Sequence, residues 1–177
     1  LGKGGEAVLP RNEQVPGETF TEGQTVQVYV VDVLATDRGP RGTICRTHPG
    51  LVKRMFELEV PEIYDGTVEV KAIAREAGAR TKLAVWSKNP DVDPVGACIG
   101  ARGVRVEKIV QELNGEKIDV IRWSEDITEF ISAALSPAKV VKVELLPGET
   151  KSCRVPVPDH QLRLAIGNTG QPVRLCG

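Results

Sequence analysis

The sequence has few aromatic residues, three Phe, two Trp and two Tyr in 177 positions. That is too few for an RRM sheet, which stacks bases on an aromatic platform. No apolar run approaches the roughly 20 residues that cross a bilayer, and the N-terminus, Leu1-Gly2-Lys3-Gly4-Gly5-Glu6, lacks the apolar core of a signal peptide. These absences predict a soluble, cytoplasmic chain with no membrane partner. The first residue is not Met, which raises processing or a fragment. Neither sign of charge is in excess: 23 Lys and Arg face 24 Asp and Glu, a formal net charge of −1. No global positive field therefore attracts a polyanion, and any such contact must be local. Divided at residues 60 and 127, the chain holds 7 basic against 8 acidic residues, 10 against 12, and 6 against 4, so no segment is a basic tail.

Cys45, Cys98, Cys153 and Cys176 lie 53, 55 and 23 positions apart, without a C-x-x-C pair or zinc-ribbon spacing. Isolated thiols of this kind read as small core hydrophobes in a reducing compartment. The two histidines, His48 and His160, are 112 positions apart, and no Ser, Cys or acidic residue forms a motif with either. His48, beside Pro49, reads as a turn or cap group. Asp91 and Asp93 stand two apart, but Asp93-Pro94 is explained as the start of a helix, with Asp capping and Pro in the first turn. The sequence thus predicts no catalytic residues, no metal site and no cofactor.

Val26, Val28 and Val30 alternate on a period of two, followed by Val31, Val33 and Leu34, the turn Asp37-Arg38-Gly39-Pro40 and the extended run Thr43-Ile44-Cys45. This β unit has too few strands to close a barrel, and the Gly-rich, Pro-containing stretch before it adds little. From Pro49 the period becomes helical, with Leu51, Val52, Met55, Phe56 and Leu58 on one face, fading near Pro61. Strands over 67–73 and 82–86 follow, then a short helix from Asp93-Pro94 to Ile99, a longer one through Val104, Val106, Ile109, Val110 and Leu113, and a strand over 117–121. The order is α-β-β-α-α-β. It then restarts: a helix over 127–135, a strand over 140–143, a turn at Pro147-Gly148, a returning strand over 153–157, and a helix over 162–166 capped by Asp159.

The restart is a repeat. Val68 matches Val141 at an offset of 73, Gly78 matches Gly148 at 70, and Ile99 matches Ile166 at 67, the drift reflecting two shortened loops. The pattern I-G-x-x-G-x-x-V occurs in both copies, as Ile99 to Val106 and Ile166 to Val173. A lone Gly-x-x-Gly means little. Between two helices, however, the first glycine leaves one helix at positive φ, the second admits a close backbone approach, and the next helix offers free N–H groups and its dipole. That combination holds a phosphate without a basic patch.

At these residues the chain resembles the KH family of single-stranded nucleic-acid binders, whose Gly-x-x-Gly loop clamps about four nucleotides. Longer runs, Arg46-Thr47-His48-Pro49-Gly50, residues 56–63, Ala74-Arg75-Glu76-Ala77-Gly78, Gly96-Ala97-Cys98-Ile99-Gly100 and residues 134–141, resemble the bacterial NusA family of transcription termination/antitermination factors. The resemblance implies an α+β fold: a partial OB-type RNA-binding β domain over 1–47, a first prokaryotic-type KH domain over 48–123, and a second over 124–177, incomplete at its C-terminus. It implies single-stranded RNA as ligand, RNA polymerase as a partner through regions absent from this chain, and room for other transcription factors. The implied RNA-binding residues are Ile99, Gly100, Ala101, Arg102, Gly103 and Arg105 in the first copy, and Ile166, Gly167, Asn168, Thr169, Gly170, Gln171 and Arg174 in the second.

The second copy departs from the first. Asn168-Thr169 stand where the family often carries charge, and Pro172, in the first turn of the next helix, removes one N–H donor. Only seven residues follow Gly170, whereas Gly103 is followed by a full helix and a strand. Weaker RNA binding is therefore expected there. Aliphatic residues Ile99, Val104, Val106, Ile166 and Val173 are candidates to line the grooves, and Trp86 and Trp123 read as packing residues. Two alternatives remain at this level: a KH-containing subunit of an RNA-processing enzyme such as a ribonuclease, and a degenerate KH pair that contacts only protein.

Overall fold

The computed structural model describes residues 6–148, 151–167 and 170–176. Its first element, β1 (Glu6–Val8), runs parallel to β3 (Gly39–Cys45), which pairs antiparallel with β2 (Tyr29–Thr36). Nothing in the sequence marks β1, a three-residue strand recruited by the free edge of β3. Nor does the valine alternation mark one buried face. Val26 and Val28 precede β2, its register shifts between Val30 and Asp32, and Val30, Val31, Val33 and Leu34 are all exposed. The described residues form a three-stranded sheet here and no closed barrel.

Arg46 ties this sheet to the next unit of the chain. Its fully buried guanidinium donates to Glu18 (2.6 and 2.7 Å), to the Gln27 carbonyl (2.5 Å) and to the Glu112 carbonyl (3.1 Å). A buried cation is tolerated only when paired and fully hydrogen-bonded in this way.

Helix α1 (Pro49–Glu59) starts as the sequence predicts. His48 is its N-cap, Nδ1 accepting from the Gly50 N–H at 2.9 Å, and its ring stacks on Tyr29 at 4.4 Å. Pro61 does not simply end the helical stretch but opens a further turn, α2 (Pro61–Tyr64), because proline suits a first helical position. The hairpin β4 (Val68–Glu76) and β5 (Arg80–Ser87) is antiparallel. After α3 (Pro94–Ile99) and α4 (Val104–Glu112), strand β6 (Lys117–Arg122) returns parallel to β5, giving the order β4-β5-β6.

Strand β5 is buried on both faces. Leu83 and Val85 pack against Leu51, Val52, Phe56, Cys98 and Ile109 of the helices. Ala84 faces the other way, joining Ala74, Ile121, Phe130, Ala134 and Leu175 in a second core shared with the next unit.

That unit comprises α5 (Ile127–Ala134), the short hairpin β7 (Glu144–Leu146) and β8 (Ser152–Arg154), α6 (Leu162–Ile166) and α7 (Gln171–Cys176). Three expectations need correction. The hairpin sits later on its first strand and ends earlier on its second, since Pro156 and Pro158 have no N–H to extend the ladder; one bond, Val141 N–H to Pro156 O at 3.1 Å, survives beyond it. Asp159 does not cap α6 but opens a 3-10 turn over Asp159–Gln161. Cys153 is exposed rather than a core residue, whereas Cys45 and Cys98 are buried. No strand follows α7 among the described residues, and no helix there is long and apolar enough to cross a membrane.

Candidate nucleic-acid interface

Asp93 sets the first loop in place by capping α3, its carboxylate accepting from the Val95 N–H at 3.2 Å. Burial, reinforced by the carboxylate of Glu62, pushes the Cys98 thiol inside that helix up to about 12, so it stays protonated and inert at neutral pH. Gly100 ends the helix at φ 77°, its N–H donating to Gly96 O at 2.9 Å. Arg102 takes the left-handed conformation at φ 55°, which is unusual for a residue with a Cβ. Gly103 follows at φ 78°, and no side chain caps α4. The loop therefore ends at a nine-residue helix whose first N–H groups have no side-chain partner, beside the exposed side chains of Ala101, Arg102 and Val104.

Arg105 lies on the inner side of this loop. Its Nη1 donates to Ala97 O at 2.6 Å and pairs with Glu62 at 3.0 Å, and a Cβ added at Gly100 would come within 2.7 Å of its Cγ. The guanidinium therefore braces the loop from behind, while Arg102 is the cation on its outer side. Nothing in the sequence separates these roles for two arginines three positions apart.

The second loop repeats the backbone at its two glycines. Gly167 has φ 69° and ψ 177°, against 77° and 172° at Gly100, and Gly170 has φ 70°. Pro172 sits under Gly167 at the position Arg105 holds under Gly100, 3.3 Å from where a Cβ would stand. Asn168 and Thr169 lie outside the described residues. Ile166, Val173 and Arg174 are exposed. Gln171 is not, although Val104, at the matching position, is 55% exposed. Only 4% of Gln171 reaches solvent, and its amide donates to Ala74 O at 2.8 Å and Arg80 O at 2.6 Å on the first unit's hairpin. That geometry withdraws the Gln171 side chain from any RNA-facing surface, a correction to the sequence expectation.

Of the aliphatic candidates, Val104, Ile166 and Val173 are exposed, whereas Ile99 and Val106 are half-buried. Trp86 and Trp123 meet edge to face at 6.4 Å, with Lys71 Nζ 4.7 Å from the Trp86 ring and Trp123 against Phe130, so both pack at the junction of the two units. Among the described residues, no three His, Cys, Asp or Glu side chains gather as a metal-ligand set.

Comparison with known proteins matches both copies. Residues 46–123 fit the NusA-like first KH domain, and residues 127–177 fit the NusA-like second KH domain. The chain belongs to the NusA family. It is 58% identical over 170 residues to the transcription termination/antitermination protein NusA of Halalkalibacterium halodurans, covering 96% of this chain and 44% of that one. Against the proteins of the same name from Bacillus subtilis and Thermus thermophilus, identity is 55% and 51%, over 96% and 99% of this chain and 46% and 45% of theirs. The chain thus spans under half the length of these NusA relatives.

Proposed function

We propose that this chain is the RNA-binding part of a cytoplasmic transcription factor, holding single-stranded nascent RNA on its two Gly-x-x-Gly loops without catalysing a reaction. The observation that carries the reading is the repeated loop: glycines at matching positions with matching positive φ, the first loop opening onto the uncapped start of α4 beside the outward cation Arg102. In this reading Gly100, Ala101, Arg102 and Gly103 meet phosphate, with Ile99 and Val104 beside the bases and Arg105 holding the loop from behind. Gly167, Asn168, Thr169 and Gly170 form the second clamp, flanked by Ile166 and Arg174, and Gln171 anchors it.

Residues 48–123 and 124–177 are then two KH domains, and residues 1–47 part of an OB-type domain. Its role in this reading is to modulate RNA polymerase pausing, termination and antitermination, with polymerase contacts made outside this chain; the names of the NusA relatives support the part in transcription termination and antitermination. They do not favour the alternative of an RNA-processing enzyme.

With net charge −1 and no basic stripe, binding should neutralise only about four to six phosphates, so log affinity should fall with log salt at a slope of roughly −3 to −4. Titrating labelled single-stranded and duplex RNA across a salt series tests this. A slope near zero, or preference for the duplex, contradicts the clamp.

A further inference from the structure

The two KH units are joined by polar groups reaching in both directions. Lys82 on β5 is 1% exposed, and its ammonium donates to the carbonyls of Ala134 (2.5 Å) and Ser136 at the end of α5. Unpaired carbonyls and the negative end of the helix dipole favour a cation at that place. In return, Gln171 of the second unit donates to Ala74 O and Arg80 O of the first. Gln171 directly follows Gly170, so its anchor fixes the end of the second loop itself. Beside it, Arg80, Lys117, Gly167 and Pro172 line a cleft of about 300 Å³ between the units.

Apolar contact already joins these units. A shared core of Ala74, Ala84, Ile121, Phe130, Ala134 and Leu175 is already present, and a buried ammonium usually costs more in desolvation than an apolar side chain of its size. What an apolar face lacks is direction, since it tolerates sliding and rotation. Donors that must each meet two particular carbonyls select one geometry. The repeat makes the same point, because the position left on the surface as Val104 in the first copy is turned inward as Gln171 in the second.

We propose that Lys82 and Gln171 form a reciprocal clasp that fixes the distance between the two Gly-x-x-Gly loops, making the chain selective for the number of nucleotides between the two RNA segments it contacts. Both are positioning residues, and the inference rests on the RNA-binding reading above. It is tested with RNAs carrying two randomised segments of about four nucleotides joined by abasic linkers of increasing length. Affinities are measured for the unaltered chain, Gln171→Met and Lys82→Met. Methionine keeps much of the side-chain volume and removes the donor. The unaltered chain should show a sharp optimum in linker length. Each variant should flatten that optimum, losing about tenfold at the best linker, and Lys82→Met, which lies in neither loop, should bind a single segment as before.

A uniform loss at every linker length, or an unchanged optimum in a folded variant, overturns the clasp. Should either variant fail to fold by circular dichroism, Gln171→Asn, which keeps the amide but shortens its reach, must give the flattening instead, and an unchanged optimum there overturns the clasp equally. If the unaltered chain binds none of these RNAs, the RNA reading fails and the clasp's function falls with it, a result distinct from a flat linker profile on intact binding.

Discussion

Gly100 and Gly103 are both at positive φ, yet different surroundings fix them. A Cβ at Gly103 meets nothing within 4 Å, so Gly103→Ala carries only the cost of the left-handed backbone, on the order of 1 kcal/mol. At Gly100 the same Cβ would meet Arg105 Cγ at 2.7 Å, and moving that side chain breaks its bonds to Ala97 O and Glu62. Gly100→Ala should therefore lower the melting temperature clearly more than Gly103→Ala; equal shifts would show that Arg105 yields freely. The Gly-x-x-Gly spacing was legible in the sequence, as were the caps His48 and Asp93, because each depends on neighbours in the chain. The division of labour between Arg102 and Arg105 was not, since it depends on Glu62 arriving from α2.

Between elements, buried polar pairs decide more than exposed ones. Glu116, immediately before β6, is 1% exposed and accepts from Arg75 (3.1 Å), the Gly78 N–H (2.7 Å) and Thr81 Oγ1 (2.9 Å), locking the start of that strand to the β4–β5 hairpin. Glu116→Ala leaves the Arg75 guanidinium buried without its partner and should cost about 3–5 kcal/mol in denaturant unfolding. Glu57→Ala, which breaks an exposed pair with Arg54 one turn along α1, should hardly move the midpoint.

Glu69, on β4, lies between Lys71 (2.7 Å) and Lys88 (2.8 Å), and hydrogen bonds to both ammonium groups hold its carboxyl down at about 2. Because the folded value lies below the ordinary one, the stability it contributes is complete above about pH 4.5 and lost as pH falls toward 2. A carboxyl NMR titration should place its midpoint near 2; a midpoint near 4.5 would mean that the lysines do not hold it. Helix and strand order from Pro49 to Ile121 could be read from periodicity because these elements bury their apolar faces against partners within this unit while their polar faces stay in solvent. The β7–β8 hairpin was misplaced where prolines, rather than hydrophobic pattern, set the ladder's ends. β1 escaped the sequence because its pairing with β3 joins residues 35 positions apart, Glu6 with Arg41, whereas the strands flanking the 37–40 turn could be read from the valine run and the turn, though not the exposure of those valines.

At the scale of the molecule, the repeat was the informative signal, and matching residues 67 to 73 positions apart located both loops. How the copies dock was not legible. Lys82 looks like an ordinary strand lysine and Gln171 like a loop residue until the sheet's second face is seen to be covered by α5 and α7. This docking anchors Gln171, next to Gly170, on the first unit's β4–β5 hairpin, so the loops differ in what supports them although their glycines agree in conformation. In the proposed function the first Gly-x-x-Gly loop holds phosphate. Changing Ala101 and Arg102 together to Asp removes one cation, adds two anions at the start of α4 and leaves both glycines intact. The most direct measurement is the affinity of this variant for single-stranded RNA, with thermal melting alongside and the same change at Asn168 and Thr169 for comparison. Lost charge-assisted contacts are worth about 1.5–3 kcal/mol each, so RNA affinity should fall at least about tenfold while melting is unchanged, and the second-loop variant should lose less. Unchanged RNA binding by the folded Ala101→Asp, Arg102→Asp variant would contradict the account.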